Sequence, residues 1–150
     1  MSYKVFIDTS LLIAAVCGEE PLRQCALAVL NEPNIEFWYS PMLRLEATLQ
    51  PAHHKKVLEL AFMEEYFNGA SCMGNLNNIY FVAHPDASKH GIPVLDALHV
   101  AAAHLAKCKV LVTAEKTTKP MFRTELVKVV TILSLVDARQ DRIKLFLDSN

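Results

Sequence analysis

Short runs of apolar, β-branched and aromatic residues alternate along the chain with longer segments whose apolar residues recur at helical spacing. The short runs predict strands at 4–7, 36–39, 79–83, 109–112 and 126–133. The longer segments predict helices at 10–16, 21–31, 41–49, 53–67, 95–107 and 135–147. Because helices between strands act as crossovers, the pattern predicts an α/β protein, a three-layer α/β/α sandwich with a mostly parallel sheet of about five strands.

The connections are predicted from prolines, glycines and polar clusters. Pro51 predicts the end of the helix at 41–49, and the stretch 68–78, rich in Gly, Asn and Ser, predicts a mobile connector. The piece from 84 to 93 is expected to be irregular. Neither an internal repeat nor a long linker divides the 150 residues, so we expect a single domain over 1–150.

Composition and charge narrow the classes of function. Hydrophobic residues make up 52% of the chain and charged residues 21%, enough apolar surface to fold a packed core. A mean hydropathy of +0.20 favours burial of some of this surface against a partner. With 15 Lys and Arg against 16 Asp and Glu, the chain is not a bulk electrostatic binder of nucleic acid. A metal or a small basic patch would have to hold any phosphate.

The apolar segments of the chain indicate its localisation, and the spacing of its cysteines and histidines indicates their chemistry. The apolar run at 5–7 is too short for a signal peptide, and the longest stretch without Asp, Glu, Lys or Arg, 66–85, is interrupted by Asn and Gly. We therefore expect a cytoplasmic protein without a membrane span. The four cysteines form no Cys-x-x-Cys pair and the six histidines lack zinc-site spacing, so the cysteines are interpreted as small hydrophobes.

Four acidic residues are predicted to lie near one edge of the sheet. Asp8 follows the first strand, Glu46 lies within the helix after the second, Asp96 begins the Ala-rich helix, and Glu115 comes two residues after Thr113. Ligands of parallel α/β sheets bind outside the carboxyl ends of the strands. Converging carboxylates repel one another unless a cation lies between them, and oxygen ligands select Mg²⁺ or Mn²⁺.

Each acid also has a structural explanation. Asp8 is placed to cap the following helix, and Asp96 to complement a helix dipole. Glu46 has a candidate ion-pair partner in Arg44, and Glu115 can be a solvated loop residue. The metal interpretation rests on all four acids occurring together.

Four segments carry a resemblance to a known family. They are Phe-Ile-Asp-Thr-Ser-Leu-Leu at 6–12, Ser40 followed by Leu45-Glu46, Leu-Asp-Ala-Leu-His-Val-Ala-Ala-Ala at 95–103, and Leu-Val-Thr-Ala-Glu at 111–115. In this order they resemble the motifs of PIN domains, and the likeness extends from Val5 to about Ile132. PIN domains are metal-dependent ribonucleases, and many small ones are toxins of VapC-type toxin–antitoxin pairs.

The resemblance implies a metal-dependent ribonuclease that hydrolyses phosphodiester bonds in RNA and leaves a 5′-phosphate and a 3′-hydroxyl. It implies that Asp8, Glu46 and Asp96 bind Mg²⁺ or Mn²⁺, with Glu115 in the place of the fourth acid. The hydroxyls implied to contact phosphate or support the metal ligands belong to Thr9 or Ser10, Ser40 and Thr113. It further implies an RNA substrate, an antitoxin partner and a homodimer.

Two departures from the family pattern leave an alternative open. The fourth motif ends in Thr113-Ala114-Glu115, where the family more often has Thr-Asn-Asp. The run 84–95 is short where the family more often has a helix, which would compress one wall of the groove. The alternative is a catalytically weak or inactive PIN-fold module that binds RNA or protein.

Basic residues after the fourth motif are candidates for tracking an RNA backbone, the alternative being a solvated loop. They are Lys116, Lys119, Arg123 and Lys128. Two other classes fit poorly. A haloacid-dehalogenase-type phosphatase needs a second Asp two residues after Asp8, where Ser10 stands, and a phosphoacceptor receiver domain needs adjacent acids at this strand end.

Overall fold

A parallel five-stranded sheet forms the centre of the computed structural model, which describes residues 2–138. The strands are β1 (Tyr3–Ile7), β2 (Ile35–Tyr39), β3 (Ser71–Cys72), β4 (Val110–Thr113) and β5 (Lys128–Thr131). The helices are α1 (Thr9–Cys17), α2 (Leu22–Leu30), α3 (Pro41–His53), α4 (Val57–Gly69), α5 (Leu76–His90), α6 (Val94–Leu105) and α7 (Leu133–Ala138), with a 3₁₀ helix at Pro120–Arg123. Within the described residues, no helix is long and apolar enough to cross a bilayer.

The two central strands are covered on both faces. Val5, Phe6 and Ile7 follow one another in β1, and each is 0% exposed. Successive side chains of a strand point to opposite faces, so both faces of the sheet are buried. The consecutive residues Val110–Val112 of β4 are buried in the same way. The predicted three-layer α/β/α architecture with a mostly parallel sheet is confirmed.

The strand order β3-β2-β1-β4-β5 creates a crevice in the middle of the sheet. On one side of β1 lie β2 and then β3, in chain order. The chain then returns to the centre of the sheet, where β4 pairs with the other side of β1. Ile7 at the end of β1 is in register with Val112 of β4. Ligands bind at such reversals of strand order, outside the carboxyl ends of the strands. The residues that follow β1 and β4 therefore occupy the favoured position for a site.

The strand predicted at 79–83 is wrong, because this region lies in the long helix α5. The irregular piece predicted at 84–93 is limited to 91–93, since α5 continues to His90. Asn75 caps its first turn by accepting a hydrogen bond from the backbone N–H of Asn78. Gly91 ends it in the left-handed conformation, at φ 67°. The buried residues Ile79, Ala83 and Asp86 recur at helical spacing. Since α5 fills this region, the inferred compression of the groove wall is also wrong.

Three boundaries near α3 and α4 differ from the prediction. Pro51 does not end α3, which continues to His53 with the proline buried in its last turns. The helix predicted at 53–67 begins only at Val57, because the chain turns at Lys55, whose φ is positive. The predicted mobile connector at 68–78 contains β3, which pairs with β2.

Two elements near the end of the described residues differ from the prediction in their bounds. The strand predicted at 126–133 is limited to β5, Lys128–Thr131. The helix predicted at 135–147 corresponds in its described part to α7, and its remainder after residue 138 lies outside the described residues.

Candidate active site

A cavity of about 310 Å³ opens beyond the carboxyl ends of β1 and β4. All four acids predicted from the sequence line it, although they come from four separate segments. The lining residues are Asp8, Thr9, Ser10, Ile13, Glu46, Asp96, His99 and Glu115. The topology thus brings the predicted carboxylates together in one cavity.

Asp8 is the buried anchor of the site. It directly follows β1, is 4% exposed, and caps α1 by accepting a hydrogen bond from the backbone N–H of Leu11 at 3.2 Å. The helix-capping role and the cavity position therefore occur together. Burial raises the pKa of Asp8 to about 6, against the lowering effect of its hydrogen bonds from Thr113, Ser10 and Leu11.

Two hydroxyls link Asp8 to the end of β4. Ser10 Oγ donates to Asp8 Oδ1 at 2.8 Å, and Thr113 Oγ1 donates to Asp8 Oδ2 at 2.6 Å. The same hydroxyl oxygens accept the backbone N–H groups of Ala114 and Glu115, respectively. Because each hydroxyl has a single proton, and both protons point to Asp8, the 3.0 Å approach of Ser10 to Thr113 is a contact between oxygens. The network fixes the backbone that carries Glu115.

Glu46 lies on α3, and two donors from other helices hold it. Thr9 Oγ1 donates to Glu46 Oε1, and His99 Nε2 lies 3.0 Å from the same oxygen. The hydrogen bond from His99, followed by that from Thr9, lowers the pKa of Glu46 against the opposing effect of burial. The alternative ion pair with Arg44 is wrong, because Arg44 pairs with Glu64 instead.

Asp96 connects the acids electrostatically. It lies in the first turn of α6, where burial, followed by the charges of Glu46 and Glu115, raises its pKa. His99 and Lys119 act in the opposite direction. Because the negative charges of Glu46 and Glu115 oppose ionisation of Asp96, a bound cation at this position would relieve the repulsion.

The remaining sequence-predicted residues lie around the cavity or outside its lining. Thr113 is fully buried beneath the site. Ser40 is also fully buried, and caps α3 by accepting from the backbone N–H of Leu43 at 3.2 Å, so the structure does not bring it into the lining. Lys116 and Lys119 are exposed on the loop after β4, and Lys119 is near enough to influence Asp96.

The sequence interpretation missed His99. It lies three residues after Asp96 on α6, is 1% exposed, and stacks near Phe6 with ring centroids 6.1 Å apart. The spacing of three places it on the same helix face as Asp96, which was the available signal. Its position within an Ala-rich apolar run concealed that signal.

A second group of ionisable residues lies away from the cavity. Asp86, His90 and Glu125 place ligand atoms within 4.8 Å of one another. Their partners explain this arrangement: Asp86 accepts from Thr124 Oγ1 and from the backbone N–H of Glu125, and Glu125 Oε2 contacts Lys89 and His90. The group is a hydrogen-bonded latch between α5 and the segment after the 3₁₀ helix.

The donor set of the cavity fits a hard divalent cation. It offers four carboxylates, and its one imidazole is already hydrogen-bonded to Glu46. Mg²⁺ and Mn²⁺ prefer oxygen ligands, and Mg²⁺ usually retains several waters beside one or two carboxylates. A cavity of about 310 Å³ has room for a hydrated ion of this kind.

Solved structures with a similar fold include a toxin–antitoxin complex. VapBC2 from Rickettsia felis, bound to a DNA fragment from its promoter, matches at TM-score 0.64 and 13% identity, over 85% of this chain and 98% of that chain. A toxin–antitoxin complex from Klebsiella pneumoniae matches at 0.63 and 19%, over 85% and 97%. FitAcB from Neisseria gonorrhoeae matches at 0.62 and 17%, over 86% and 98%. No protein-family model matches this chain, and no curated protein matches its sequence.

At these identities the likeness shows the fold. The neighbours include VapBC2 and a toxin–antitoxin complex, the kind of assembly that the motif resemblance implies. The resemblance to PIN domains that the motifs predict is therefore confirmed at the level of the fold, a parallel α/β sheet with its helices.

Proposed function

We propose that this protein is a Mg²⁺- or Mn²⁺-dependent ribonuclease and the toxin component of a toxin–antitoxin pair. The observation that carries the proposal is the meeting of Asp8, Glu46, Asp96 and Glu115 in one cavity at the reversal of strand order. The PIN-like fold supports it independently.

The four carboxylates would hold the cation. When bound, Mg²⁺ or Mn²⁺ activates water for attack on phosphorus and neutralises charge on the phosphodiester. Ser10 and Thr113 orient Asp8 through its two oxygens, so a buried acid presents a fixed donor set. Glu115 stands where the family more often has Asp, and it lines the cavity on a backbone held by Thr113.

RNA is the substrate we propose. The net charge of −1 gives the whole chain little attraction for a polyanion, so binding depends on local cations. Lys116 and Lys119 are exposed on the loop that starts beside the cavity, and Arg123 is exposed at the end of the 3₁₀ helix that follows it. A backbone that follows this loop would pass the carboxylates with its phosphate charge partly neutralised.

Protein partners are proposed from the exposed apolar surface. Leu45, Leu49, Val57 and Leu58 on α3 and α4 are each more than half exposed, which is costly for a chain alone in water. An antitoxin and a second copy of this chain, forming a homodimer, are the partners we propose. An enzyme with this role would act on RNA in the cytoplasm.

The second candidate function is a PIN-fold module that binds RNA or protein without cutting. The substitution of Glu115 for the shorter acid is the sequence feature behind it. The position of Glu115 in the cavity lining favours the enzyme, because the longer side chain keeps a carboxylate at the site.

The test is cleavage of an end-labelled panel of structured RNAs with Mg²⁺ or Mn²⁺, beside EDTA and the Asp8→Asn and Asp96→Asn proteins. We expect metal-dependent cleavage that leaves 5′-phosphate ends and is lost in both variants. The matched control is Glu65→Gln, which changes an exposed acid on α4 and should cleave like the wild type. Equal cleavage by the wild type and both Asp variants would contradict the proposal, and metal binding without cleavage would favour the non-cutting module.

A further inference from the structure

His99 lies in the wall of the cavity, is almost fully buried, and makes one polar contact with the residues that the structure describes. Its Nε2 lies 3.0 Å from Glu46 Oε1, and its Nδ1 has no hydrogen-bond partner among residues 2–138. A buried N–H needs an acceptor, and only Nε2 faces one among these residues, so the proton belongs on Nε2. His99 therefore donates to Glu46.

A second donor reaches the same oxygen from another helix. Thr9 Oγ1, at the start of α1, also donates to Glu46 Oε1. Within the described part of the chain, Glu46 Oε2 accepts no hydrogen bond, and the side chain lines the cavity with 30% of its surface exposed. One carboxylate oxygen is thus held by the protein, and the other is left for a ligand.

The bonding arrangement explains why a polar residue occupies this position. An apolar side chain at residue 99 would still pack against Phe6, but it would leave Glu46 held by Thr9 alone. A free glutamate side chain loses conformational entropy when a ligand orders it. A donor from the core removes part of that cost before any ligand binds.

We propose that His99 is a positioning residue which, together with Thr9, fixes Glu46 for binding of the divalent cation. The inference rests on the proposed metal-dependent function and adds a residue to which the motif resemblance gives no role. Partners of metal ligands typically change metal affinity by about 10–100-fold when removed, and we expect a loss in this range.

The test is a titration of the metal-free protein with Mn²⁺. The amount of unbound Mn²⁺ is measured from its electron paramagnetic resonance signal. His99→Phe keeps a ring in the core and removes the donor, and we expect about 10–100-fold weaker binding. His99→Gln retains an N–H near the position of Nε2, and we expect it to recover most of the affinity. His84→Phe, at an exposed position on α5, is the control and should bind like the wild type.

The outcomes separate the inference from the function on which it rests. If the wild type binds Mn²⁺ and a well-folded His99→Phe protein binds it equally tightly, the positioning role is overturned. If the wild type itself binds no Mn²⁺, the proposed function fails and the inference fails with it. If His99→Phe does not unfold cooperatively, the Mn²⁺ affinity of Thr9→Val is measured instead, because this variant removes the other donor to Glu46. Wild-type affinity in Thr9→Val would then overturn the proposal.

Discussion

Thr113 donates a hydrogen bond to Asp8 at 2.6 Å across 105 positions of sequence. The bond joins the carboxyl ends of β1 and β4 at the place where the strand order reverses. The same hydroxyl oxygen accepts a hydrogen bond from the backbone N–H of Glu115, which places the backbone of Glu115 beside Asp8. The hydroxyl thus ties the first acid of the site to the segment that carries the fourth.

Removal of this hydroxyl should destabilise the protein. Thr113→Val keeps the shape of the side chain, but deprives Asp8 Oδ2 of its donor and the Glu115 N–H of its acceptor. Leaving such groups unpaired costs about 1–3 kcal/mol, and we expect a loss of this size in urea unfolding at pH 7.5 in EDTA. Thr117→Val, at an exposed position on the loop, is the matched control. Equal unfolding midpoints for the two variants would contradict the prediction.

Asp8→Asn should have the opposite effect on the metal-free protein. Burial raises the pKa of Asp8 from 3.8 to about 6, so between these pH values the folded state binds more protons than the unfolded state. Stability therefore falls as pH rises through this window and stays lower above it. An amide carries no charge to bury, but its NH2 group cannot accept the hydrogen bonds that both oxygens of Asp8 accept. The net gain is therefore smaller, and we expect Asp8→Asn to be more stable by about 1–2 kcal/mol at pH 7.5.

The pH dependence identifies the cause of this stabilisation. Urea unfolding in EDTA should show the difference between Asp8→Asn and the wild type shrinking as pH falls from 7.5 towards 4. Glu65→Gln, which removes an exposed charge, controls for the general change in net charge. A difference that persists unchanged at pH 4 would show that relief of a buried carboxylate is not its source.

Binding of Mn²⁺ should weaken in acid through the same group. Protons compete with the cation for Asp8 below about pH 6, and burial also raises the pKa of Asp96. We expect affinity to fall about tenfold per pH unit below this point, more steeply where both acids are protonated, and to level off above pH 7. Titrations from pH 5 to 8 measure this profile. An affinity independent of pH would mean that the cation does not bind at these carboxylates.

Much of the sheet and the site follows from local sequence. In β1, β2 and β4, runs of β-branched and aromatic residues end at a polar residue, and each boundary was predicted to within one residue. The positions of Asp8 and Glu115 depend only on where β1 and β4 end. Parallel topology then places those ends side by side, which is why the four acids were predicted to meet.

The errors have local physical causes. In α5 the exposed side chains of Tyr80 and Phe81 extend an apolar run across the helical period, so the run resembles a strand. The two residues of β3 are too few to show any periodicity, and they pair only with β2 in the sheet. His99 is polar by type but buried by position, and its partner Glu46 lies 53 residues away.

The hydrogen bonds of Asp86 should affect the KM for RNA but not the affinity for Mn²⁺. Asp86 is buried on α5 and accepts from Thr124 Oγ1 at 2.6 Å and from the backbone N–H of Glu125 at 3.0 Å. It therefore anchors the end of the segment that carries the basic residues after β4. Asp86→Ala leaves both donors without this acceptor, and we expect a loss of about 1–3 kcal/mol in urea unfolding.

The same variant should raise the KM for RNA while leaving the Mn²⁺ affinity unchanged, because the basic segment is freed and the carboxylates are not. Asp86→Asn keeps one acceptor oxygen and should fall between the alanine variant and the wild type. Ser88→Ala, exposed on the same helix, is the matched control. Proteolysis within 114–127 gives an independent measure, since a released segment is cut faster. Weakened Mn²⁺ binding in Asp86→Ala would show that the latch reaches the cavity, and this separation of roles would then be wrong.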